Sequence, residues 1–344
     1  MKNLIDKLKA DKNLNDDELK LLIDTDDSDY LFRTADSVRK LIYGNVVYVR
    51  GLIEFTNHCK NNCLYCGLRA SNKKLERYRL SEDDILACAD EGYRLGMRTF
   101  VLQGGEDLSI TDNYICSVVS HLKNVYPDCA VTLSIGEKTR ESYKAYKDAG
   151  ADRYLLRHEA ADYSLYSYLH PDNMSLENRK RCLYDLKELG FQVGAGFMVG
   201  SPSQTLENIV SDIRFMMDLQ PDMIGIGPFL PHSCTPFSNE PKGNMNWCLN
   251  LISILRLIFP YALIPSTTAL ATIHTQGREM GIKAGANVVM PNLSPPALRK
   301  LYSLYNDKAI SDNEAAENIA KLKSAIKNIG YRIVTDIGNV KTPQ

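Results

Sequence analysis

The beginning of the chain has the apolar spacing of amphipathic helices. Leu19, Leu22 and Ile23 recur at helical intervals, and a second amphipathic segment covers residues 30–42. Helices of this kind bury one apolar face against a neighbouring element. The pattern therefore predicts an N-terminal helical extension at residues 1–45.

From residue 46 onward, short β-branched or apolar runs alternate with longer stretches of helical periodicity. Eight of the short runs are predicted strands, and they lie at residues 47–55, 99–103, 130–135, 153–157, 192–199, 223–229, 262–266 and 287–290. The predicted helices between them include residues 81–95, 113–125, 175–189, 205–219, 247–258 and 278–284. Ser81 and Asp84 have the spacing of a capping box at the start of the first of these helices.

The alternation of strands and helices favours an α/β fold with parallel pairing and right-handed crossovers. Eight repeats are the number that closes a (β/α)8 TIM-type barrel; an open doubly wound sheet is the alternative. A length of 344 residues would by itself suggest two domains, but no Pro-, Gly- or Ser-rich linker divides the chain. We therefore predict one barrel at residues 46–310 after the extension, closed by a C-terminal helix and tail at residues 311–344.

Composition and charge exclude some classes of partner and leave the predicted fold unchanged. The hydrophobic fraction of 44% and the charged fraction of 24% are those of a globular protein. Basic and acidic residues nearly cancel, at 41 and 42, so the chain has no global attraction to nucleic acid or anionic lipid. We expect neither nucleic acid nor a membrane as a partner. Residues 1–13 lack the apolar run of a signal peptide, so a cytoplasmic location is expected.

One uncharged stretch is long enough to span a bilayer. Residues 257–277 contain no Asp, Glu, Lys or Arg. Pro260 and Pro265 interrupt this stretch. It is therefore predicted to be a helix end, a turn and a buried strand.

Polar residues and glycines gather directly after the predicted strands. These clusters lie at residues 59–66, 104–107, 134–137, 158–159, 200–202, 231–232, 267–268 and 291–292. In a barrel the carboxyl ends of all strands share one mouth, where such folds carry out their chemistry. Loops are polar in any protein, which explains each cluster singly but not the concentration of ligand-type and charged residues in so many of them.

Three cysteines follow the first predicted strand. Cys59, Cys63 and Cys66 have an i, i+4, i+7 spacing, which also occurs on the apolar face of a helix. The loop around them is polar and runs into Gly67, a poor environment for a core helix. Structural zinc is a second alternative, but closed zinc sites take four ligands and no second C-x-x-C pair follows. Nine cysteines are too few for a disulfide scaffold of this length and indicate a reducing compartment.

Three thiolates at a barrel mouth suit one 4Fe-4S cluster. Iron-sulfur clusters usually take four cysteines, so a set of three leaves one iron open for another ligand. An open coordination position is typical of a catalytic metal. The C-x-x-x-C-x-x-C loop at residues 59–66 resembles that of the radical S-adenosylmethionine (SAM) enzymes. In those enzymes the open iron binds the amino and carboxylate groups of SAM.

The resemblance extends over nearly the whole chain, from about residue 14 to beyond residue 305. The segments that carry it are residues 50–55, 63–69, 77–79, 103–107, 156–159, 194–200, 225–229 and 266–269. They are similar to the HydE family of FeFe-hydrogenase maturases, which is related to biotin synthase and methylornithine synthase. The family has a complete (β/α)8 barrel, in agreement with the strand count.

The resemblance implies a role for each matching residue, with no protein acid or base assigned to catalysis. The cluster ligands would be Cys59, Cys63 and Cys66. Residues implied to bind SAM are Tyr65, Gly104, Gly105, Glu106, Ser134, Glu159 and Arg179. Residues implied to bind the substrate are Arg50, Arg157, Thr267 and Thr268.

These polar residues also have ordinary structural interpretations. Glu159 and Arg179 could form an ion pair across the mouth, because ion-pair networks also place charges inside barrels. Arg50 could be a structural arginine, and the two threonines could simply end a strand.

The implied activity is reductive cleavage of SAM to methionine and a 5'-deoxyadenosyl radical. The implied substrate is an organometallic iron-cysteine species with CO and cyanide ligands, made by a partner maturase. The product would be a precursor of the di-iron centre of the hydrogenase H-cluster. A ferredoxin or flavodoxin would supply electrons, and other maturases would be partners. The alternatives are a lysine mutase similar to methylornithine synthase and a non-enzymatic iron-sulfur carrier.

The other six cysteines are not expected to bind this cluster. Some family members carry an accessory three-cysteine cluster near the C-terminus, but Cys248 is the last cysteine of this sequence, so no such cluster is expected. Cys234 lies in the loop after the sixth predicted strand and is the remaining candidate for a functional thiol. Cys88, Cys116, Cys129 and Cys182 fall in or beside predicted elements and are expected in the core.

Overall fold

The structure is a computed structural model that describes residues 1–308 and 316–342. Its strands are β1 (Val46–Val49), β2 (Gly51–Thr56), β3 (Thr99–Gly104), β4 (Ala130–Ser134), β5 (Arg153–Leu155), β6 (Gln192–Ala195), β7 (Met198–Val199), β8 (Met223–Ile224), β9 (Gly227–Pro228), β10 (Val288–Val289) and β11 (Arg332–Val334).

Three helices precede the first strand, and after them helices and strands alternate, singly or in short groups. The helices are α1 (Lys2–Asp11), α2 (Asp16–Ile23), α3 (Asp29–Tyr43), α4 (Glu82–Arg94), α5 (Asp112–Val125), α6 (Arg140–Asp148), α7 (Tyr163–Leu169), α8 (Leu176–Glu188), α9 (Leu206–Leu219), α10 (Met245–Ile258), α11 (Thr268–Ile273), α12 (Gly277–Lys283), α13 (Pro296–Arg299) and α14 (Ile319–Asn328), with a 3-10 turn at Ala316–Asn318.

The first three helices pack on the outside of the barrel. The Asn15 side chain accepts a hydrogen bond from the Glu18 amide at 2.9 Å, and the Glu18 carboxylate accepts one from the Asn15 amide at 3.0 Å, so a capping box starts α2. Leu19, Leu22 and Ile23 are fully buried, and α2 contacts α9 and α10. The helical pattern of the N-terminal segment is therefore confirmed, whereas the division into domains stays a prediction. The predicted boundary at residues 310 and 311 lies outside the described residues.

The strands form a closed parallel barrel, as predicted. Six of them pair in the order β2-β3-β4-β5-β6-β8. Single bridges complete the circle through the seventh predicted strand, from Met223 to Leu263 and from Pro265 to Val288, and β10 then pairs with β1. The chain therefore has an α/β fold of the (β/α)8 barrel type, in which the carboxyl ends of the strands surround one mouth.

Three predicted strands are each divided in the structure. The first is broken at Arg50, because β1 pairs with β10 and β11 whereas β2 pairs with β3. The strand predicted at residues 192–199 is broken at Gly196, which has a φ of 149°, and the strand at residues 223–229 is divided into β8 and β9. A Cβ on Gly196 would lie 2.0 Å from the Gly225 carbonyl oxygen, so this close approach requires glycine. The short strand β11 was not predicted, since three partly exposed residues give no periodic signal.

Alternation along the strands separates the packed core from the barrel interior. Ile53, Phe55 and Phe100 point outward into the core between strands and helices. Glu54 and its register partner Gln103 therefore face the interior. A polar interior begins directly below the mouth.

The C-terminal tail closes the opposite end of the barrel. The Arg153 guanidinium, at the start of β5, donates to the carbonyl of Ile337 at 3.1 Å and to the side-chain oxygen of Asn339 at 2.6 Å. The Thr99 hydroxyl, at the start of β3, donates to the same Ile337 carbonyl at 2.7 Å. A ligand would therefore enter the barrel interior through the mouth.

No helix within residues 1–308 and 316–342 is both long and apolar enough to cross a membrane. The uncharged stretch at residues 257–277 contains the end of α10, a turn and the seventh barrel segment, as predicted. It also contains helix α11, which was not predicted.

Candidate SAM and iron-sulfur site

The cysteine loop has no regular secondary structure and is held by two side chains, the buried Asn57 and the partly exposed Arg77. The Asn57 amide donates to the carbonyls of Glu76 and Leu301, both at 2.8 Å. The Arg77 guanidinium donates to the carbonyls of Asn57, Leu68 and Arg69, the last two at 2.9 and 2.8 Å. These bonds fix a loop that has no helix or sheet ladder of its own. No such role was predicted for Asn57 or Arg77, because a bond from a side chain to a distant carbonyl leaves no periodic pattern.

The three cysteines of the loop are free thiols and partly exposed. Burial raises the pKa of Cys63 well above its ordinary value, and Cys66 and Cys59 raise it further. Burial and then Cys59 raise the pKa of Cys66 to about 12. Ionised together, the three thiols would therefore repel one another. A positively charged centre would relieve that repulsion, so the donor set fits a metal group.

The three thiols are not gathered around a single centre in the structure. Among the residues that the structure describes, no group of three His, Cys, Asp or Glu side chains is arranged to hold one metal ion. A zinc ion needs its ligands around one centre, whereas an iron-sulfur cluster has several irons over which the thiolates are distributed. The choice between zinc and an iron-sulfur cluster at these thiols stays a prediction.

The end of β3 touches the cysteine loop directly. A Cβ on Gly105 would lie 2.2 Å from the His58 carbonyl oxygen and 2.7 Å from the Cys59 Cβ. The Lys60 amide donates to the Glu106 carbonyl at 2.9 Å, which ties the two segments together. A glycine is required at position 105 because nothing larger lets the strand end approach the loop so closely. Gly104 is similarly enclosed, since a Cβ there would lie 2.7 Å from the side chain of Thr56.

The Glu106 carboxylate is held between the loops after β2 and β4. It accepts a hydrogen bond from the Glu137 amide at 3.0 Å and lies 3.2 Å from the Lys60 ammonium. Ser134 ends β4, next to this loop. Glu106 and Ser134 are therefore near the mouth, where the sequence predicts them. Their contacts with SAM stay a prediction.

Glu159 and Arg179 do not pair with each other in the structure. The Glu159 carboxylate binds the Arg157 guanidinium at 2.9 Å. The Arg179 guanidinium binds the Glu137 carboxylate at 2.6 Å and donates to the Arg157 carbonyl at 3.0 Å. The alternative of a single ion pair between Glu159 and Arg179 is thus replaced by two separate ion pairs, which the hydrogen bond from Arg179 to the Arg157 carbonyl connects. Both charges remain at the mouth.

Glu159 is held in an uncommon backbone conformation. Its φ is 66°, which costs free energy for a residue with a side chain. The fully buried His158 supports this position: its Nε2 donates to Asp212 Oδ1 at 3.2 Å and its Nδ1 accepts from the Gly196 amide at 3.3 Å. Asp212 also accepts from the Ala161 amide at 2.6 Å. Asp212 was missed, although a carboxylate on the apolar face of a predicted helix was a usable signal.

The residues expected to bind substrate divide into two groups. At the mouth, Arg157 Nε and the Thr267 hydroxyl are buried and have no hydrogen-bond partner among the described residues. Thr268 follows as the first residue of α11. Arg50 lies instead toward the closed end, where it donates to Met223 Sδ at 3.0 Å and to the Gly338 carbonyl at 3.4 Å. The structure therefore does not place Arg50 beside the threonines.

A buried charge pair occupies the interior just below the mouth. Glu54 is 1% exposed and binds the Lys308 ammonium, and the Asn292 amide donates to it at 2.8 Å. The Tyr302 hydroxyl accepts from the Gln103 amide at 3.3 Å nearby. These residues were not singled out from the sequence, although a glutamate in the middle of an apolar strand was a signal for an interior position.

Stability at mildly acid pH depends on a second buried histidine. Burial, followed by the Arg179 charge, lowers the pKa of His170 to about 3. In the unfolded chain this imidazole binds a proton below about pH 6.5, so the unfolded state takes up a proton that the folded state does not. We expect this one group to lower the free energy of unfolding by about 2 kcal/mol between pH 6.5 and pH 5.

Urea unfolding of the full chain and of its His170→Gln variant at pH 7 and pH 5 measures this contribution. The variant should lose less stability on acidification, because glutamine takes up no proton. Equal losses in the two proteins would contradict a buried, neutral His170.

The chain matches a known superfamily and several known proteins in sequence. The model of the Radical SAM superfamily matches residues 53–216, which run from β2 into α9. The [FeFe] hydrogenase maturase subunit HydE of Thermotoga maritima is 44% identical over 311 residues, which are 90% of this chain and 88% of that protein. The 3-methylornithine synthase of Methanosarcina acetivorans is 29% identical over 92% of this chain and 88% of that protein.

Solved structures agree on the fold. Methylornithine synthase (PylB) has a TM-score of 0.85 and 26% identity, covering 96% of this chain and 97% of that one. HydG, a maturase of the [FeFe]-hydrogenase, has a TM-score of 0.80 and 21% identity, covering 96% of this chain and 75% of that one.

Proposed function

Since the chain belongs to the radical SAM superfamily and, within it, to the HydE family, we propose that it acts in assembly of the di-iron centre of FeFe-hydrogenases. The observation that carries this proposal is the cysteine loop, which the backbone of Gly105 and the side chains of Asn57 and Arg77 hold at the barrel mouth. The protein is a radical SAM enzyme, and the superfamily implies a 4Fe-4S cluster and SAM.

We assign the cluster to Cys59, Cys63 and Cys66. When bound there, the reduced cluster supplies the electron that cleaves SAM to methionine and a 5'-deoxyadenosyl radical. Glu159 and Arg179 bring one negative and one positive charge to the mouth, matching the ammonium and carboxylate of SAM. We also assign to the SAM site the residues of the cysteine loop and of the ends of β3 and β4 that match the family, which are Tyr65, Gly104, Gly105, Glu106 and Ser134.

The chain's remaining contribution is to orient the reactants and to exclude water. The tail closes one end of the barrel, so a reactive species formed at the mouth faces an enclosed interior. Arg157 and Thr267 keep unused hydrogen-bonding atoms there, and Thr268 is adjacent. We propose that these residues bind the polar groups of the substrate and that Arg50 binds any anionic group that reaches the closed end.

The proposed substrate is an iron-cysteine complex with CO and cyanide ligands, delivered by a partner maturase. A small, charged complex suits an enclosed polar interior, and it suits a chain whose net charge is close to zero. A ferredoxin or flavodoxin is the proposed electron donor. The reducing chemistry and the free cysteines are consistent with a cytoplasmic reaction.

Methylornithine synthase is the second candidate, because its structure matches nearly the whole chain. The two candidates differ in substrate, so the reconstituted, reduced enzyme should be given SAM with either lysine or the iron-cysteine complex. We expect the iron complex to be converted with formation of 5'-deoxyadenosine and lysine to be recovered unchanged. The Cys63→Ala chain serves as the control for conversion without the enzyme. Rearranged lysine, with the iron complex untouched, would contradict the maturase assignment.

A further inference from the structure

The segment that ends α7 forms a second support for the cysteine loop. The Leu64 amide donates to the Leu169 carbonyl at 2.9 Å. The next residue of the loop, Tyr65, donates its hydroxyl to Nε2 of His170 at 3.1 Å. Further along the same segment, Met174 Sδ lies 3.8 Å from Cys63 Sγ. This segment therefore contacts the loop at both its backbone and its side chains.

Only one tautomer of the His170 ring satisfies both of its hydrogen bonds. Its Nδ1 donates to the Tyr166 carbonyl at 2.8 Å, so Nε2 is left as the acceptor for the Tyr65 hydroxyl. Its ring stacks on the Tyr166 ring with centroids 4.0 Å apart, and the residue is 3% exposed. Burial holds the pKa of His170 near 3, so the ring stays a neutral acceptor at any pH at which the enzyme works.

The Tyr65 ring is directed by this one polar contact. It meets the His170 ring edge-on, with centroids 5.5 Å apart and planes at 88°. The Tyr65 ring also packs against the apolar cluster that contains Tyr166 and Ala160, the residue next to Glu159. A rotation of this ring changes the space between the cysteines and Glu159.

We propose that His170 is a positioning residue for SAM binding, which acts by fixing the Tyr65 ring at the edge of the SAM site. This inference rests on the proposed function, since it assumes that Tyr65 borders SAM. It gives a role to a residue outside the C-x-x-x-C-x-x-C motif. Among the described residues, the hydrogen-bond partners of the His170 ring are Tyr65 and Tyr166, and neither the cysteines nor the proposed substrate residues are among them.

A double-mutant cycle on the anaerobically reconstituted full chain tests the proposal. The dissociation constant for SAM and the rate of SAM cleavage are measured for Tyr65→Phe, His170→Leu and the double variant. Loss of one hydrogen bond predicts about a 5- to 10-fold weaker affinity for each single variant. The double variant should be no weaker than the weaker single variant, because both remove the same bond. His170→Gln should recover part of the affinity through its side-chain carbonyl.

His121→Leu is the matched control, because His121 is half-exposed on α5 and binds only Glu82 among the described residues. Iron content and melting temperature separate positioning from folding. If His170→Leu loses its iron, Tyr65→Phe and His170→Gln decide the question, since the first preserves the packing of the rings and the second keeps a hydrogen-bond acceptor at position 170.

Wild-type affinity in iron-loaded His170→Leu or in Tyr65→Phe would overturn the inference alone. Additive losses in the double variant would also overturn it. A wild-type enzyme that holds its cluster but binds no SAM would instead overturn the proposed function, and this inference with it.

Discussion

The Cys63→Ala enzyme is expected to bind no 4Fe-4S cluster and to form no 5'-deoxyadenosine. Three thiolates are the only cysteine ligands that the loop offers, and two of them leave a second iron without a protein ligand. The Cys63 thiol also lies 3.8 Å from the Met174 sulfur, in the segment that supports the loop. Removal of a metal ligand that every later step depends on removes the activity, instead of lowering it.

Iron and sulfide content together with chromatography of 5'-deoxyadenosine measure this effect. Cys116→Ala is the matched control, because Cys116 is also partly exposed but lies in α5, away from the loop. We expect Cys116→Ala to keep its cluster and its activity. Full SAM cleavage by Cys63→Ala would show that the cluster is held elsewhere.

The second large effect, on cluster content and SAM cleavage, is expected when a single methyl group is added at Gly105, directly after β3. The Cβ of a Gly105→Ala variant would lie 2.2 Å from a backbone oxygen of the cysteine loop, and a backbone atom cannot rotate away. Overpacking of this kind costs about 1–3 kcal/mol, and the loop can relieve it only by moving. We expect the variant to fold but to lose most of its cluster and at least about 10-fold in SAM cleavage.

Gly225→Ala is the control for this substitution. The nearest atom to a Cβ at Gly225 is 3.7 Å away, an ordinary contact, so the same added methyl group should leave cluster content unchanged. Melting temperature, iron content and 5'-deoxyadenosine formation are measured for both variants. Normal cluster loading in Gly105→Ala would contradict the close packing of β3 against the loop.

The barrel itself could be predicted because its signal is local and repeated. Each strand and each helix has its own periodicity, and eight repeats leave few topologies to choose from. The breaks at Arg50 and Gly196 could not be predicted, because they depend on which strand lies alongside. The pairing of β1 with β11 joins residues nearly three hundred positions apart, and no pattern in either segment encodes it.

The part of the candidate site that could be predicted consists of residues whose type and spacing in the sequence indicate their chemistry. The cysteine triplet and the Gly104–Glu106 motif are of this kind. The supports of the loop are not: Asn57, Arg77 and His170 act through bonds to distant partners. The choice of partner for Glu159 was also open, since opposite charges were available in several loops and only the packed barrel decides among them.

Anaerobic reconstitution followed by reduction in the presence of SAM tests the central claim most directly. Methionine and 5'-deoxyadenosine are quantified, while absorbance and iron content show that the cluster is intact. A radical SAM enzyme yields both products in equal amounts, and only when cluster and reductant are both present. An intact, reduced cluster that leaves SAM uncleaved would contradict the assignment.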